Sequence, residues 1–418
     1  MINKRIRILY YSGHCEIVGG DAKYLFDLVN GMDKESFSMS ICTDFNPVFV
    51  DRARQWLQVE CPIEYLNTFP PLFQEQRRGR ILSYLLRELT LQYLRDEWKN
   101  WKLFFAMLKS NRDKIDVFHF NNGGYPGKVA GLVAMLAAKA AGIHTVIMTI
   151  HNEPSRRSWR FPGHILFDYL ISHYCHMTIA ASEVLRQKLI DYRGYLPEKV
   201  RTIYCGLIDL PKLCEEDIAA KRIELSIDRC FPVLLISGNI EEERKGHVQL
   251  FQALKMLKCE YPNVQLLVVG NGSAARTAYL FEQASAMGIA DSVRFLGYRT
   301  DIHELNCVVD VAVVPSLYGE ATPYTIKEAA RAGKPVVTTS AGGCADAVED
   351  GISGFVVPPY DIEALARALS TLLADEELRC RMGIAGRKIF LQRFLLSEVV
   401  QGHEKLYHEL VNRQRAPQ

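Results

Sequence analysis

Residues 309–339 read VDVAVVPSLYGEATPYTIKEAARAGKPVVTT. The first eight residues are an apolar, β-branched run, which predicts a buried strand over 309–316. A short loop, 317–321, comes next. Thr322 is a good N-cap and Pro323 suits the first helical position, where its missing N–H would have no partner in any case. A helix is expected over 324–332, stopped by Gly333, with Pro335 just beyond. Residues 334–340 then form another β-branched strand. Strand, helix and strand in succession make a parallel βαβ unit, and that reading sets the fold class as α/β.

The same alternation extends in both directions. Toward the N-terminus, strands are expected at 6–12, 37–43, 116–120, 145–151, 177–182 and 200–206, with helical patterns between them. A second series lies at 233–239, 264–272, 293–297, 309–316, 334–340 and 354–359. Two such series predict two Rossmann-like, doubly wound parallel-sheet domains, with a cleft at the C-terminal strand ends. The expected division is 1–206 and 207–394, with a joint near 206–211. A final helix, about 395–413, is expected to pack back onto the first domain.

At 418 residues, two domains fit the length. A net charge of +2 makes no case for a nucleic-acid partner. The basic-then-apolar start, MINKRIRILYYSG, is too short for a signal peptide and is interrupted by Arg7. No apolar run reaches the ~18–20 residues of a membrane span. The 11 cysteines are odd in number and none stand in a Cys-x-x-Cys spacing, which argues against a disulfide framework or zinc site. A reduced, cytoplasmic protein is expected.

Glu320 falls in the predicted loop and Glu328 in the second helical turn. The amides of Tyr324 and Thr325 face out of the helix N-terminus and would suit an anion, with carboxylates beside it to accept from ribose or sugar hydroxyls. The alternative is that Glu328 answers the helix dipole and Glu320 is solvated.

These residues carry a resemblance. Glu320 and Glu328, followed by Ala329-Ala330-x-x-Gly333-x-Pro335-Val336-Val337, resemble the signature of the family-4 retaining glycosyltransferases of GT-B fold. Pro323 matches a sub-pattern of that signature. In order along the chain, Gly19-Gly20, Thr149-Ile150-His151-Asn152, Ile179-Ala180-Ala181-Ser182-Glu183, 203–209, Ser237-Gly238, Lys245-Gly246-His247, Ala341-Gly342-Gly343 and Asp350-Gly351-x-x-Gly354 also fit.

The resemblance implies sugar transfer from a nucleoside-diphosphate sugar, a UDP-sugar foremost, with retention of configuration. It implies Glu328 on the nucleotide ribose, Glu320 on the donor-sugar hydroxyls and His151 beside that sugar. It places Lys245, Gly238 and the Thr322-Pro323-Tyr324-Thr325 stretch at the diphosphate, and Gly19-Gly20 in a glycine loop. Tyr298, in the loop 297–299, is expected near the base. Asn239 stands where the family carries an arginine, and Arg244 is the neighbouring substitute. Cys205 replaces the family's hinge asparagine. The catalytic candidates are thus His151, Glu320 and Lys245. No cofactor is implied, and without an Asp-x-Asp motif suited to a metal-dependent site no metal is expected.

The acceptor is read from elsewhere. Residues 76–114 form a long basic stretch with Trp98, Trp101, Phe104 and Phe105 interleaved, and Arg156-Arg157-Ser158-Trp159-Arg160 is a second basic-aromatic cluster. Docking of 76–114 to an anionic membrane surface would suit a lipid-linked or cell-envelope glycan acceptor and a position at the inner face of the membrane. A solvated helix with its aromatics in the core is the alternative. A soluble sugar or natural-product acceptor, a nucleotide-sugar epimerase and a non-catalytic binding protein stay open, whereas nothing marks the cofactor lysine a phosphorylase should carry.

Overall fold

Apolar runs with β-branched and aromatic residues place thirteen strands in the computed structural model, which describes residues 5–13, 20–66, 68, 91–125, 129–154, 163–228 and 231–415. Gly19, the first part of 76–114 up to Thr90, and the 156–160 cluster lie outside the described residues.

The chain divides into two compact units, Met1–Gly206 with Leu396–Gln418, and Leu207–Leu395. The first holds a seven-stranded parallel sheet in the order β3-β2-β1-β4-β5-β6-β7. Its strands are β1 (Ile6–Ser12), β2 (Phe37–Asp44), β3 (Ile63–Leu66), β4 (Val117–Asn122), β5 (Thr145–Ile150), β6 (Met177–Ala180) and β7 (Val200–Thr202). The order reverses between β1 and β4. Both β4 and β5 are buried along their whole length, as central strands covered on both faces must be. β3 was not expected from the sequence. It is a four-residue edge strand with no fully buried position, too short to show a period.

The second unit holds a six-stranded parallel sheet, β10-β9-β8-β11-β12-β13. Its strands are β8 (Val233–Ser237), β9 (Gln265–Val269), β10 (Val293–Gly297), β11 (Val311–Val314), β12 (Val336–Thr339) and β13 (Gly354–Val357). Its order reverses between β8 and β11. Open α/β sheets bind ligands at such a reversal, beyond the carboxyl ends of the strands. Leu234, Ile236, Val268, Val311, Val313 and Val337 face one core, and Val233, Leu235, Leu267 and Val269 face the other. The alternation arises from the two-residue period of a strand.

The last helix, Leu396–Arg415, buries His403, Leu406 and Tyr407 in the first unit. Tyr407 Oη lies 3.0 Å from Tyr10 Oη and 2.7 Å from His119 Nδ1. Tyr24 Oη lies 2.6 Å from His403 Nε2. A helix from the far end of the chain therefore supplies polar partners to the centre of the first sheet. None of the described helices is long and apolar enough to cross a membrane.

Candidate functional site

The loop after β8 and the loop after β11 converge at the reversal of the second sheet. Glycine makes the approach possible. Gly246 has φ of 74°, and a Cβ there would stand 2.0 Å from the Pro315 carbonyl oxygen. Likewise a Cβ on Gly270 would stand 1.6 Å from the Gly238 oxygen. Leu317 N donates to Arg244 O at 2.7 Å and ties the two loops together.

The contact brings Arg244 and Lys245 to Glu320. Lys245 Nζ lies 2.6 Å and Arg244 Nη1 2.7 Å from Glu320 Oε1, and Ser316 Oγ donates to the same oxygen at 2.9 Å. None of these contacts goes to Oε2. Glu320 is 6% exposed, so the reading of a solvated loop carboxylate does not hold. Arg244 also pairs with Glu242. Two cations and two carboxylates thus balance in the cluster. Asn239 is directed elsewhere: its amide donates to Glu242 Oε1 at 3.2 Å and accepts from Glu241 N at 3.1 Å. Arg244, and not Asn239, delivers the guanidinium.

The helix after Glu320 runs Tyr324–Arg331. Its N-cap is Pro323, with ψ of 135°, and not Thr322 as expected. Pro323 takes an extended ψ that keeps it out of the helix, which starts at Tyr324 as expected. Thr322 is buried in the loop. Pro323 supplies no side-chain cap and the first turn holds no acidic residue, so the positive end of the helix dipole lies at Tyr324 and Thr325. Thr325 Oγ1 is buried without a hydrogen-bond partner. Glu328 is half-buried in the second turn. Tyr298, just past β10, is 60% exposed.

Burial acts on the neighbours of the cluster. It pushes the Cys344 thiol up to about 12, with Glu320 adding to the shift. Burial also draws His247 down to about 4, assisted by Arg276 and Lys245. Neither ring nitrogen of His247 has a hydrogen-bond partner.

His151 belongs to the first unit, at the end of β5. Its Nε2 lies 2.7 Å from Asn121 Oδ1 and its Nδ1 3.5 Å from Cys205 Sγ. The Tyr24 ring meets it edge-on, centroids 4.6 Å apart. Gly20 opens the Gly20–Gly31 helix, whose Asp21 carbonyl accepts from Asn121 Nδ2 at 3.0 Å. Sequence reasoning missed Ser316 and Asn121. Their position at strand ends beside the reversal was the available signal, but a strand order is needed to use it.

Among the described residues, no group of three or more His, Cys, Asp or Glu side chains is placed to hold a metal ion.

Comparison with known proteins bears on the family and the fold. Residues 18–209 match the model for Glycosyltransferase Family 4, and residues 217–389 match that for Glycosyl transferases group 1. The chain is 26% identical over 311 residues to the glycosyltransferase EpsD of Bacillus subtilis (strain 168), covering 72% of this chain and 80% of that protein. It is 30% identical over 189 residues to the lipopolysaccharide core biosynthesis glycosyltransferase LpsE of Rhizobium meliloti (strain 1021), covering 45% of this chain and about half, 53%, of that protein. The fold matches Anabaena HepE, solved with UDP, with a TM-score of 0.79 at 22% identity over 97% of this chain and 100% of the other. HepE has also been solved with UDP-glucose. Two tandem parallel-sheet units, each matched by its own glycosyltransferase family model, place this chain among the family 4, group 1 glycosyltransferases of GT-B fold.

Proposed function

We propose that the protein moves a sugar from a nucleoside-diphosphate sugar, a UDP-sugar, to an acceptor hydroxyl with retention of configuration. The Leu207–Leu395 unit takes the donor and the other unit the acceptor. The observation that carries this is the Lys245–Arg244–Glu320 cluster, four residues before the N-terminus of the Tyr324–Arg331 helix. HepE, a fold neighbour, was solved with UDP and UDP-glucose, which supports the choice of donor.

Lys245, Arg244 and the amides of Tyr324 and Thr325 receive the diphosphate. As the bond from the anomeric carbon to the β-phosphate oxygen breaks, negative charge grows on the leaving group, and preorganised cations and amides stabilise it. The acceptor oxygen forms its bond to the same face of that carbon, and its proton passes to the departing phosphate. No protein nucleophile and no metal take part. Once the diphosphate engages the two cations, Glu320 is released to accept from donor-sugar hydroxyls. Glu328 accepts from the ribose.

The acceptor on this reading is a lipid-linked or cell-envelope glycan, reached at the inner face of a membrane. The Leu91–Ser110 helix supports it. Trp98 is 55% exposed and stacks on Trp101 at 5.0 Å, Trp101 stacks on Phe105 at 4.9 Å, and Lys102 Nζ lies 5.4 Å over Trp98. Exposed tryptophan beside lysine suits a headgroup region.

Calorimetric titration with UDP, UDP-glucose and the corresponding guanosine compounds tests the donor. Micromolar UDP binding, weakened by Lys245→Ala, is expected. Absence of affinity for any nucleoside diphosphate overturns the reading.

A further inference from the structure

The hydrogen bonds around His151 determine which of its nitrogens carries the proton. Asn121 Nδ2 donates to the Asp21 carbonyl at 3.0 Å and to Ser12 Oγ at 3.3 Å. A carbonyl only accepts, so the amide nitrogen must face Asp21 and the amide oxygen must face His151. That oxygen, 2.7 Å from Nε2, also only accepts, so Nε2 holds the proton. In a neutral ring Nδ1 is then a bare lone pair, and the Cys205 thiol 3.5 Å away is its donor. All three side chains are buried: Asn121 at 3%, Cys205 at 6% and His151 at 7% exposure.

We propose that Cys205 is a positioning residue which, with Asn121, holds His151 as the neutral Nε2–H form with Nδ1 aimed as a hydrogen-bond acceptor. The consequence for transfer rests on the glycosyltransferase reading of His151; the protonation state does not. A thiol is a weak donor. It occupies the lone pair, yet a substrate hydroxyl displaces it at little cost. His151 thus acts as an acceptor for a hydroxyl, and not as an acid or a cation.

The other titratable groups around the ring are Tyr24, His119 and, behind Tyr24, His403. His403 Nδ1 donates to the Val399 carbonyl at 2.8 Å, so its Nε2 accepts from Tyr24 and no proton is offered toward His151 from that side. His119 bridges Tyr407 and Thr149, each at 2.7 Å, and burial holds its pKa well below the ordinary value.

The test is nitrogen-15 NMR of the histidine-labelled, ligand-free protein, with the His151 signals assigned by their loss in His151→Gln. At pH 7.5 the expected pattern is a protonated Nε2 and an unprotonated Nδ1. Cys205→Ala removes a hydrogen bond made only to the unprotonated nitrogen, so the ring should titrate at higher pH. Cys205→Ser keeps a donor, and a stronger one, so the ring should titrate at or below the wild-type pH, whereas a packing role alone predicts no shift below it. In a transfer assay the acid limb of the pH profile should move with the NMR titration. An Nδ1–H form, an imidazolium at pH 7.5, or a titration unmoved by Cys205→Ala overturns the proposal. The NMR measurement needs no substrate, so its failure is separate from a failure of nucleotide-sugar binding.

Discussion

Lys245 Nζ stands 2.6 Å from Glu320 Oε1, a contact between residues 75 apart in the chain. The two residues expected to serve the diphosphate and the sugar are each other's partners. A ligand anion at Lys245 competes with Glu320 for the ammonium group, whose three N–H donors can serve more than one acceptor.

This competition separates two substitutions. Lys245→Ala should lower kcat by roughly 10²–10³-fold, the usual loss for one preorganised donor to a developing anion. Glu320→Gln removes the competing charge. It should hold or tighten UDP binding by calorimetry while turnover falls, and loss of UDP affinity in Glu320→Gln would contradict the exchange.

Glu328 lies apart from this cluster on the helix. Glu328→Gln should weaken UDP binding about tenfold, the equivalent of ~1.4 kcal/mol. Turnover at saturating donor should change little.

Arg244 and Asn239 are neighbours of the same loop with different partners. Arg244→Ala should raise the Kd for UDP, because the guanidinium reaches the Glu320 cluster. Asn239→Ala should leave it within about twofold, since its amide serves only Glu241 and Glu242. Equal effects would return the phosphate role to Asn239.

Acid should weaken the fold. Burial holds His403, His247 and His176 down at about 4, from an ordinary 6.5. A depressed histidine pKa means that the unfolded chain binds more protons between these values. The stability they contribute is therefore complete above pH 6.5 and lost as pH falls through about 4. Thermal unfolding across pH 4–7 should show Tm falling most steeply in that window, and His403→Gln should flatten it.

Trp98 and Lys102 offer a test of the surface helix. Trp98→Ala with Lys102→Glu should reduce pelleting with phosphatidylglycerol vesicles several-fold while Tm holds, because the exposed face contributes little to the core. Equal pelleting by the double variant would leave the acceptor reading without its membrane contact.

The strands around 309–339 were legible because their signals are local. The β-branched run Val311–Val314 must be buried, and Gly333 and Pro335 mark the end of the helix and the start of the next strand. The site was legible in part. Glu320 and Lys245, singled out through the family resemblance, meet in the second unit, whereas Ser316 and Asn121 carried no signal of their own. Pro323 shows a limit even at short range, because its ring suits the first helical position by sequence while its backbone, at ψ of 135°, makes it the cap instead of Thr322.

The sequence by itself determined two series of alternating strands and helices, since side-chain period and cap chemistry act within a few residues. Only the tertiary structure decided which loops meet. Placing β8 beside β11 brings Lys245 to Glu320, and the return of the last helix brings Tyr407 to His119 across 288 residues. Such contacts depend on strand order and on burying polar groups together, and local propensity encodes neither.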